Sequence, residues 1–128
     1  MIQEKKEKIS FKSWNCFLNL GYYGAGGRLA IKLLSDEENA DKGVFYGEPI
    51  AIATVNLPEI KLKDNEIIIK DYSENEGMLA ALKKFGFITD AKREISTGFT
   101  TVYVVEKTSK LLSLEKDLEN STKPKMKK

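Results

Sequence analysis

Histidine is absent from this sequence of 128 residues, and cysteine occurs once, as Cys16. Histidine is the commonest general base of enzymes and a frequent zinc ligand, so its absence excludes a Ser–His triad, a Cys–His dyad and a Cys/His zinc site. A single cysteine cannot form a disulfide within the chain. We therefore predict a protein that is not an enzyme and has no catalytic, metal-binding or cofactor-binding residues.

Long apolar runs are also lacking. No stretch approaches the roughly 20 apolar residues that are needed to cross a bilayer. Residues 1–8 are polar and lack the apolar run of a signal peptide. We therefore expect no membrane partner, and a location in a reducing cytoplasm.

The excess of positive charge is small, with 21 Lys and Arg against 19 Asp and Glu. Residues 13–106 carry ten basic and fourteen acidic side chains, whereas residues 107–128 carry seven lysines and three acidic side chains. An acidic body with basic ends does not indicate a nucleic-acid-binding protein by charge alone. Contact with nucleic acid through the lysine-rich end is the alternative that this pattern leaves open. The lysines concerned are Lys123, Lys125, Lys127 and Lys128.

Hydropathy and turn patterns divide the chain into three parts. We predict a flexible basic segment at residues 1–10, a single α+β domain at residues 11–106, and a C-terminal helix with a lysine-rich disordered tail at residues 107–128. The domain is predicted to be an antiparallel β-sheet of about five strands with one helix packed on one face. The C-terminal helix is expected to be short, amphipathic and loosely attached. The predicted strands cover residues 11–20, 29–33, 50–55, 66–70 and 99–105.

The helix of the domain has the clearest local signals. Ser73 and Glu76 have the spacing of a capping box, in which each side chain bonds the backbone N–H of the other residue. An apolar stripe at helical spacing follows, and Gly86 is placed to end the helix in a left-handed conformation. The stripe consists of Met78, Leu79, Leu82 and Phe85.

A glycine-rich segment at residues 21–28 resembles a phosphate-binding loop at first sight. It lacks the Lys–Ser/Thr pair of such a loop and precedes a strand instead of a helix, so a hairpin connection is favoured. Tyr22 and Tyr23 nevertheless have the character of a binding surface, because aromatic side chains give a large contact area at low entropic cost. The alternative is that one ring folds back over the edge of the sheet.

The acidic start of the helix, residues 71–77, is the second candidate segment. A calcium loop is excluded because Glu76 and Leu82 occupy the positions of its required glycine and glutamate. Phosphate binding is disfavoured because three carboxylates would repel the anion. Capping of the helix does not require Asp71, Tyr72 or Asn75. We therefore predict that this segment forms an acidic contact surface. The predicted partner-binding residues of both segments are Tyr22, Tyr23, Arg28, Asp71, Tyr72, Glu74 and Asn75.

Four stretches of the sequence together resemble a family of small proteins that share a domain of unknown function. They are LAIKL at residues 29–33, GEPIAIATVNL at 47–57, IKDYSENEGML at 69–79 and STGF at 96–99. The similarity extends over about residues 14–106. The family occurs in bacterial phages, plasmids and conjugative elements, so the resemblance implies an accessory protein of a mobile element. It supplies no catalytic residues.

These observations lead to three functional hypotheses. The first is a non-enzymatic accessory protein that binds a host protein in the cytoplasm of the bacterial host cell, as a monomer or small homo-oligomer, and in one form inhibits a defence system. The second is a nucleic-acid-associated protein acting through its basic termini. The third is an enzyme that uses Asp71, Glu74 and Glu76, which would require a metal ion or a deep pocket.

Overall fold

Seven β-strands and two α-helices make up the computed structural model, which describes residues 7–122. The first sheet has the strand order β1–β2–β3–β4 and the second β5–β7–β6, and every pairing is antiparallel. The predicted α+β class and C-terminal helix are confirmed, with two sheets in place of one. The strands are β1 (Lys8–Phe11), β2 (Trp14–Tyr22), β3 (Leu29–Ser35), β4 (Pro49–Ile52), β5 (Glu66–Lys70), β6 (Arg93–Ser96) and β7 (Thr101–Glu106), and the helices are α1 (Met78–Lys84) and α2 (Ser109–Thr122).

The core lies between one face of the first sheet and the two helices. Alternate residues of β2 and β3 point to this inner face, because successive side chains of a strand lie on opposite sides of a sheet. Both helices contribute fully buried side chains to the same cluster. The members with no more than 2% exposure include Ile9, Cys16, Ile31, Leu33, Ile69, Met78, Leu82, Phe87 and Leu111.

The two sheets meet where the chain leaves β4. Ala53 donates its N–H to the carbonyl of Ile31 at 2.8 Å and accepts from the N–H of Lys70 at 2.9 Å. Thr54 forms a bridge with Ile69 of β5, and its Oγ1 accepts from the N–H of Ile31 at 3.1 Å. One short segment therefore hydrogen-bonds to both sheets.

The outer face of the second sheet is covered by the segment at residues 55–62. Val55, Leu57, Ile60 and Leu62 pack there in a second hydrophobic cluster. The guanidinium of Arg28 donates to the carbonyls of Leu57, at 2.8 Å, and Ile60, and so attaches this segment to the hairpin of β2 and β3.

A lysine side chain bridges two facing carboxylates in the second sheet. Glu66 and Glu106 are direct partners on β5 and β7, where like charges repel. The ammonium of Lys92 lies 3.0 Å from Glu66 Oε2 and 2.7 Å from Glu106 Oε2. A hydrogen bond from the Lys63 N–H, together with Lys92, lowers the pKa of Glu66.

The start of α1 differs from the predicted capping box. Ser73–Asn75 is a turn of 3-10 helix, and α1 begins only after Gly77, whose φ is 96°. The carboxylate of Asp71 accepts from the N–H of Gly77 at 3.1 Å and from that of Leu79 at 2.7 Å. The capping-box prediction is therefore wrong, because the left-handed Gly77 displaces the helix start and brings it to Asp71.

The end of α1 agrees with the prediction. Gly86 has a φ of 84°, and its N–H bonds the carbonyl of Lys83 at 3.0 Å. The N–H of Phe87 bonds the carbonyl of Leu82 at 2.9 Å, which completes a Schellman arrangement. The predicted apolar stripe is confirmed as well, since all four of its members belong to the core cluster or pack against it.

The N-terminal prediction requires correction. Residues 1–10 were predicted to be flexible, yet β1 occupies Lys8–Phe11 and buries Ile9 and Phe11. The expected single strand from Phe11 is two strands joined at Lys12 and Ser13, and Lys12 has a φ of 57°. This turn has none of the glycine or asparagine that would indicate it in a sequence. Residues 1–6 lie outside the described residues.

The C-terminal helix is docked, in contrast to the expected loose attachment. Leu111 is fully buried in the core, and Leu114 packs against it. Lys107 and Glu115 form an ion pair at 2.7 Å, with side-chain exposures of 7% and 15%. The lysine-rich disordered tail is predicted at residues 121–128, but α2 extends to Thr122, and residues 123–128 lie outside the described residues.

The geometry of the helix start leads to a mutational prediction. Replacing Asp71 by Ala removes the acceptor of two backbone N–H groups, which should lower the free energy of unfolding by about 1 kcal/mol. Glu76→Ala is the matched control and should change it by less than about 0.5 kcal/mol. Urea denaturation measures both values. An equal loss of unfolding free energy in the two variants would contradict the role of Asp71 and support the capping box.

Candidate functional site

The two adjacent tyrosines of the predicted binding surface point to different partners within the fold. The hydroxyl of Tyr22 lies 3.2 Å from Glu119 Oε2 and 3.4 Å from Glu115 Oε2, both on α2. The hydroxyl of Tyr23 lies 2.8 Å from Thr54 Oγ1. Tyr22 therefore attaches α2 to the first sheet, and Tyr23 attaches the hairpin to the junction of the sheets.

Three further residues of the predicted set have roles inside the fold. Arg28 holds the segment at residues 55–62, and Asp71 caps α1, as described above. Asn75 is 2% exposed, and its amide donates to the carbonyl of Ile52 at 2.7 Å. These bonds account for the three side chains without a partner protein.

The remaining two residues of the predicted set face different surroundings. Tyr72 is half-buried against the second hydrophobic cluster. Glu74 is exposed, and its backbone carbonyl accepts from Lys12 Nζ at 3.0 Å. As a partner-binding surface the set stays a prediction, and its members are spread over the hairpin, the junction and the start of α1.

Two kinds of reactive group can be assessed in the described residues, a metal site and the Cys16 thiol. Within residues 7–122, no group of three or more His, Cys, Asp or Glu side chains is arranged to hold a metal ion. Burial and the nearby charge of Asp36 raise the pKa of the Cys16 thiol to about 11. A thiol with this pKa is almost entirely protonated at neutral pH and is a poor nucleophile.

A cavity of about 550 Å³ lies along α2 and is lined by Leu112 together with charged and polar residues that include Lys107 and Glu115. Lys107 and Glu115 in its wall are bonded to each other, and Glu115 also lies near Tyr22. This bonding is explained by the docking of α2.

Neither helix of the described residues has the length and apolar character of a membrane span.

The outer face of the first sheet carries a group of neighbouring apolar side chains beside Asn19 and Lys32, and Phe17 at its centre is 8% exposed. Phe17, Leu34 and Pro49 are direct neighbours across β2, β3 and β4, and neighbours in register share a face. The ring of Tyr46 stacks on that of Phe17, with centroids 5.3 Å apart and planes inclined by 23°. Ile52 belongs to the adjacent row. We call Phe17, Leu34, Tyr46, Pro49 and Ile52 the open face.

The open face is accessible because both helices pack on the opposite side of the sheet. Tyr46 is 45% exposed and Ile52 is 42% exposed, and Phe45, next to Tyr46, is 67% exposed. An exposed apolar patch of adjacent side chains is typical of interaction surfaces, whereas single exposed apolar residues are common everywhere.

The cations around the open face are largely engaged within the fold. Lys8, the register partner of Phe17, forms an ion pair with the buried Asp36. Lys42 donates to the carbonyl of Ser13 and lies 5.2 Å from the centre of the Trp14 ring. Lys32 is exposed between Asn19 and Ile52 in register. The apolar side chains of the face are therefore bordered by Asn19 and by three exposed lysines, Lys8, Lys32 and Lys42.

Sequence reasoning missed the open face. Asn15 and Asn19 flank Phe17 on the outer side of β2, so this side reads as polar in the sequence. Tyr46 lies in a polar loop, and its position over Phe17 depends on the turn of 3-10 helix at Glu37–Lys42 and the loop that follows. The signal in the sequence that could have indicated this surface is the pair of adjacent aromatic residues, Phe45 and Tyr46, in an otherwise polar loop.

Comparisons with protein-family models, curated proteins and solved structures found no match to this chain.

The contacts of Tyr22 have a measurable consequence. Burial, together with the charges of Glu115 and Glu119, raises its pKa to about 12. The folded-state pKa lies above the ordinary value of 10.0, so the contribution of Tyr22 to stability is complete below pH 10 and is lost as the pH rises through 12. Glu119→Gln should lower the pKa of Tyr22, as measured by tyrosinate absorbance, whereas Glu59→Gln in the segment at residues 55–62 should not. Identical titration curves for the two variants would contradict the contact.

Proposed function

We propose that this protein is a non-enzymatic binding protein whose open face docks on a partner protein. The observation that carries the proposal is the apolar patch on the side of the first sheet opposite the two helices, where Tyr46 and Ile52 are each more than 40% exposed. Large exposed side chains at the centre of a patch contribute most of the binding energy of protein interfaces.

The chemistry of the open face favours a protein over a nucleic acid as partner. Phosphate binding requires several available cations, and Lys8 and Lys42 already interact with Asp36 and the Ser13 carbonyl. Lys32, which lies in register between Asn19 and Ile52, fits a partner surface that is apolar and carries a carboxylate.

The resemblance to proteins of phages, plasmids and conjugative elements supports a host protein as the partner. In this proposal the chain is an accessory protein of a mobile element, acts in the bacterial cytoplasm, and binds a host factor such as a component of a defence system. Binding alone is sufficient for inhibition when it covers a surface that the host factor uses for its own activity.

Nucleic-acid binding through the basic termini remains the second proposal. The uneven charge of the sequence favours it, since residues 107–128 carry seven lysines and three acidic side chains. It predicts an affinity that falls steeply with salt and is lost on deletion of residues 123–128. Salt-insensitive binding to the host protein would instead support the open face.

A pair of matched variants tests the open face. Ile52 and Leu112 are both 42% exposed, and Leu112 lies on α2, on the other side of the sheet. Ile52→Glu should weaken capture of the partner from a bacterial host lysate by about tenfold or more, because it places a carboxylate in an apolar contact. Leu112→Glu should leave capture unchanged.

The result depends on both variants being folded, which circular dichroism and thermal unfolding establish. Equal capture by wild type and Ile52→Glu, or equal loss in both variants, would remove the open face as the binding surface. Absence of any co-purifying protein in repeated captures would count against the binding function itself.

A further inference from the structure

The second sheet has an open edge at β6. Its strand order is β5–β7–β6, and β5 is joined to the first sheet through Ala53 and Thr54, so β6 has no neighbouring strand on its outer side within residues 7–122. Such an edge presents unpaired backbone N–H and C=O groups, which are a template for pairing with a strand of another chain. A further strand can therefore be added to the second sheet at β6.

The two edges of the first sheet are bonded to other parts of the fold. Beside β4, the amide of Asn75 donates to the carbonyl of Ile52 at 2.7 Å. At the end of β1, Lys12 Nζ donates to the carbonyl of Glu74 at 3.0 Å. In contrast, no side chain among residues 7–122 donates to a backbone carbonyl of β6. The β6 edge is the more accessible one.

Two residues of β6 direct their backbone groups outward. The N–H of Thr97 donates to the carbonyl of Thr100 at 2.8 Å, and bonded pairs alternate with non-bonded pairs along an antiparallel ladder. In the register of β6 and β7, the backbone of Ile95 is therefore bonded to β7, whereas that of Glu94 and Ser96 points away from it. No hydrogen bond joins these outward groups to another described residue.

The side chains of β6 are compatible with pairing between two copies of this strand. When two copies lie antiparallel about a two-fold axis at Ile95, Glu94 faces the partner's Ser96, and Arg93 faces the partner's Thr97. Ile95 faces the partner's Ile95. No charge is then directly opposite a like charge, an arrangement that would destabilise the pair.

The neighbouring registers are less favourable. Pairing centred on Glu94 would place two carboxylates opposite each other. Pairing centred on Ser96 would place Glu94 opposite the partner's Gly98, whose φ of 97° belongs to the turn and not to a strand. The strand therefore has one register in which it complements itself.

We propose that β6 pairs with β6 of a second copy in this register and forms a homodimer, with a continuous sheet of three strands from each copy. Glu94 and the partner's Ser96 exchange their N–H and C=O groups, as do Ser96 and the partner's Glu94. The side chain of Ile95, half-buried against the second hydrophobic cluster, meets its own copy at a non-bonded position, where facing side chains are closest. The proposal goes beyond the proposed function and does not depend on the open face.

Cysteine cross-linking of the full chain tests the register. The α-carbons of Ile95 in the two copies would be about 4.5 Å apart, within the range of a disulfide. Glu94 would be a diagonal neighbour of the partner's Glu94, at roughly 8 Å, which is too far. On mild oxidation, Ile95→Cys should give at least about tenfold more linked dimer than Glu94→Cys. Cys16 is fully buried and should not react.

The comparison separates pairing from random collision. Glu94 is exposed and Ile95 is half-buried, so collision alone would link Glu94→Cys at least as readily as Ile95→Cys. Circular dichroism establishes that both variants are folded. Equal linkage of the two variants, or more linkage of Glu94→Cys, would overturn the proposal.

A pair of proline variants tests the edge by sedimentation velocity. Ser96→Pro removes an outward N–H without removing a bond to β7, as proline on an edge strand can. Ser10→Pro is the matched control, because the N–H of Ser10 points outward from β1 in the same way. A contact of this size is weak, so the dimer fraction of wild type should rise between about 10 µM and about 1 mM. Ser96→Pro should abolish that rise and Ser10→Pro should not.

Wild-type protein that stays monomeric over this range, or a dimer that survives Ser96→Pro, would overturn the proposal. If Ile52→Glu abolishes the dimer and Ser96→Pro does not, the copies associate through the open face and the pairing of β6 is wrong. Capture of a partner protein by Ser96→Pro should equal that of wild type. Failure of the dimer and failure of the proposed function are therefore distinguishable.

Discussion

The structure depends on the hydrogen bonds of Ala53 and Thr54, because this dipeptide joins the two sheets. Ala53 bonds Ile31 on one side and Lys70 on the other, so its backbone belongs to both sheets. The Thr54 hydroxyl accepts from the Ile31 N–H and contacts the hydroxyl of Tyr23. Thr54 is 2% exposed, and a buried backbone N–H without an acceptor is costly.

Other parts of the molecule are positioned from this junction. The amide of Asn75 donates a hydrogen bond to the carbonyl of Ile52, the residue before Ala53. This bond fixes the turn that leads into α1. The segment at residues 55–62 leaves the junction to cover the second sheet, where Arg28 holds it. The helices then lie on one side of the first sheet, so that neither covers its opposite side.

The sequence predicted those elements whose cause is local. Alternating apolar residues predicted β3, a run of β-branched residues predicted β5, and the apolar stripe with Gly86 predicted the body and end of α1. The start of α1 was mispredicted because Asp71 reaches its N–H groups only after Gly77 turns the chain. Such a contact depends on a backbone angle, which residue spacing does not encode.

The missed strands have a related explanation. β1 and β6 are four-residue edge strands, and their pairing with a neighbour stabilises them more than their own composition does. β6 is largely exposed, so its side chains show no apolar alternation. The open face was invisible for a similar reason, since Phe17 and Tyr46 meet only through the fold.

The predicted binding residues also have contacts within the fold. Tyr22, Arg28, Asp71 and Asn75 each make a tertiary hydrogen bond that residue spacing does not reveal, and their role in binding a partner stays a prediction. A polar or aromatic side chain without a local role often has a distant structural one, because buried backbone groups need acceptors and donors. The proposed function rests instead on exposed apolar residues such as Ile52 and Tyr46.

The claim that the two sheets form one unit through Thr54 is tested most directly by amide hydrogen exchange of a Thr54→Val variant. Valine keeps the shape but removes the hydroxyl, so the free energy of unfolding should fall by about 1–3 kcal/mol, and Thr54→Ser should recover most of it. The account predicts that protection decreases together in β3 and β5, at amides such as Ile31 and Lys70. Faster exchange confined to the first sheet, with Lys70 and the second sheet unchanged, would contradict it.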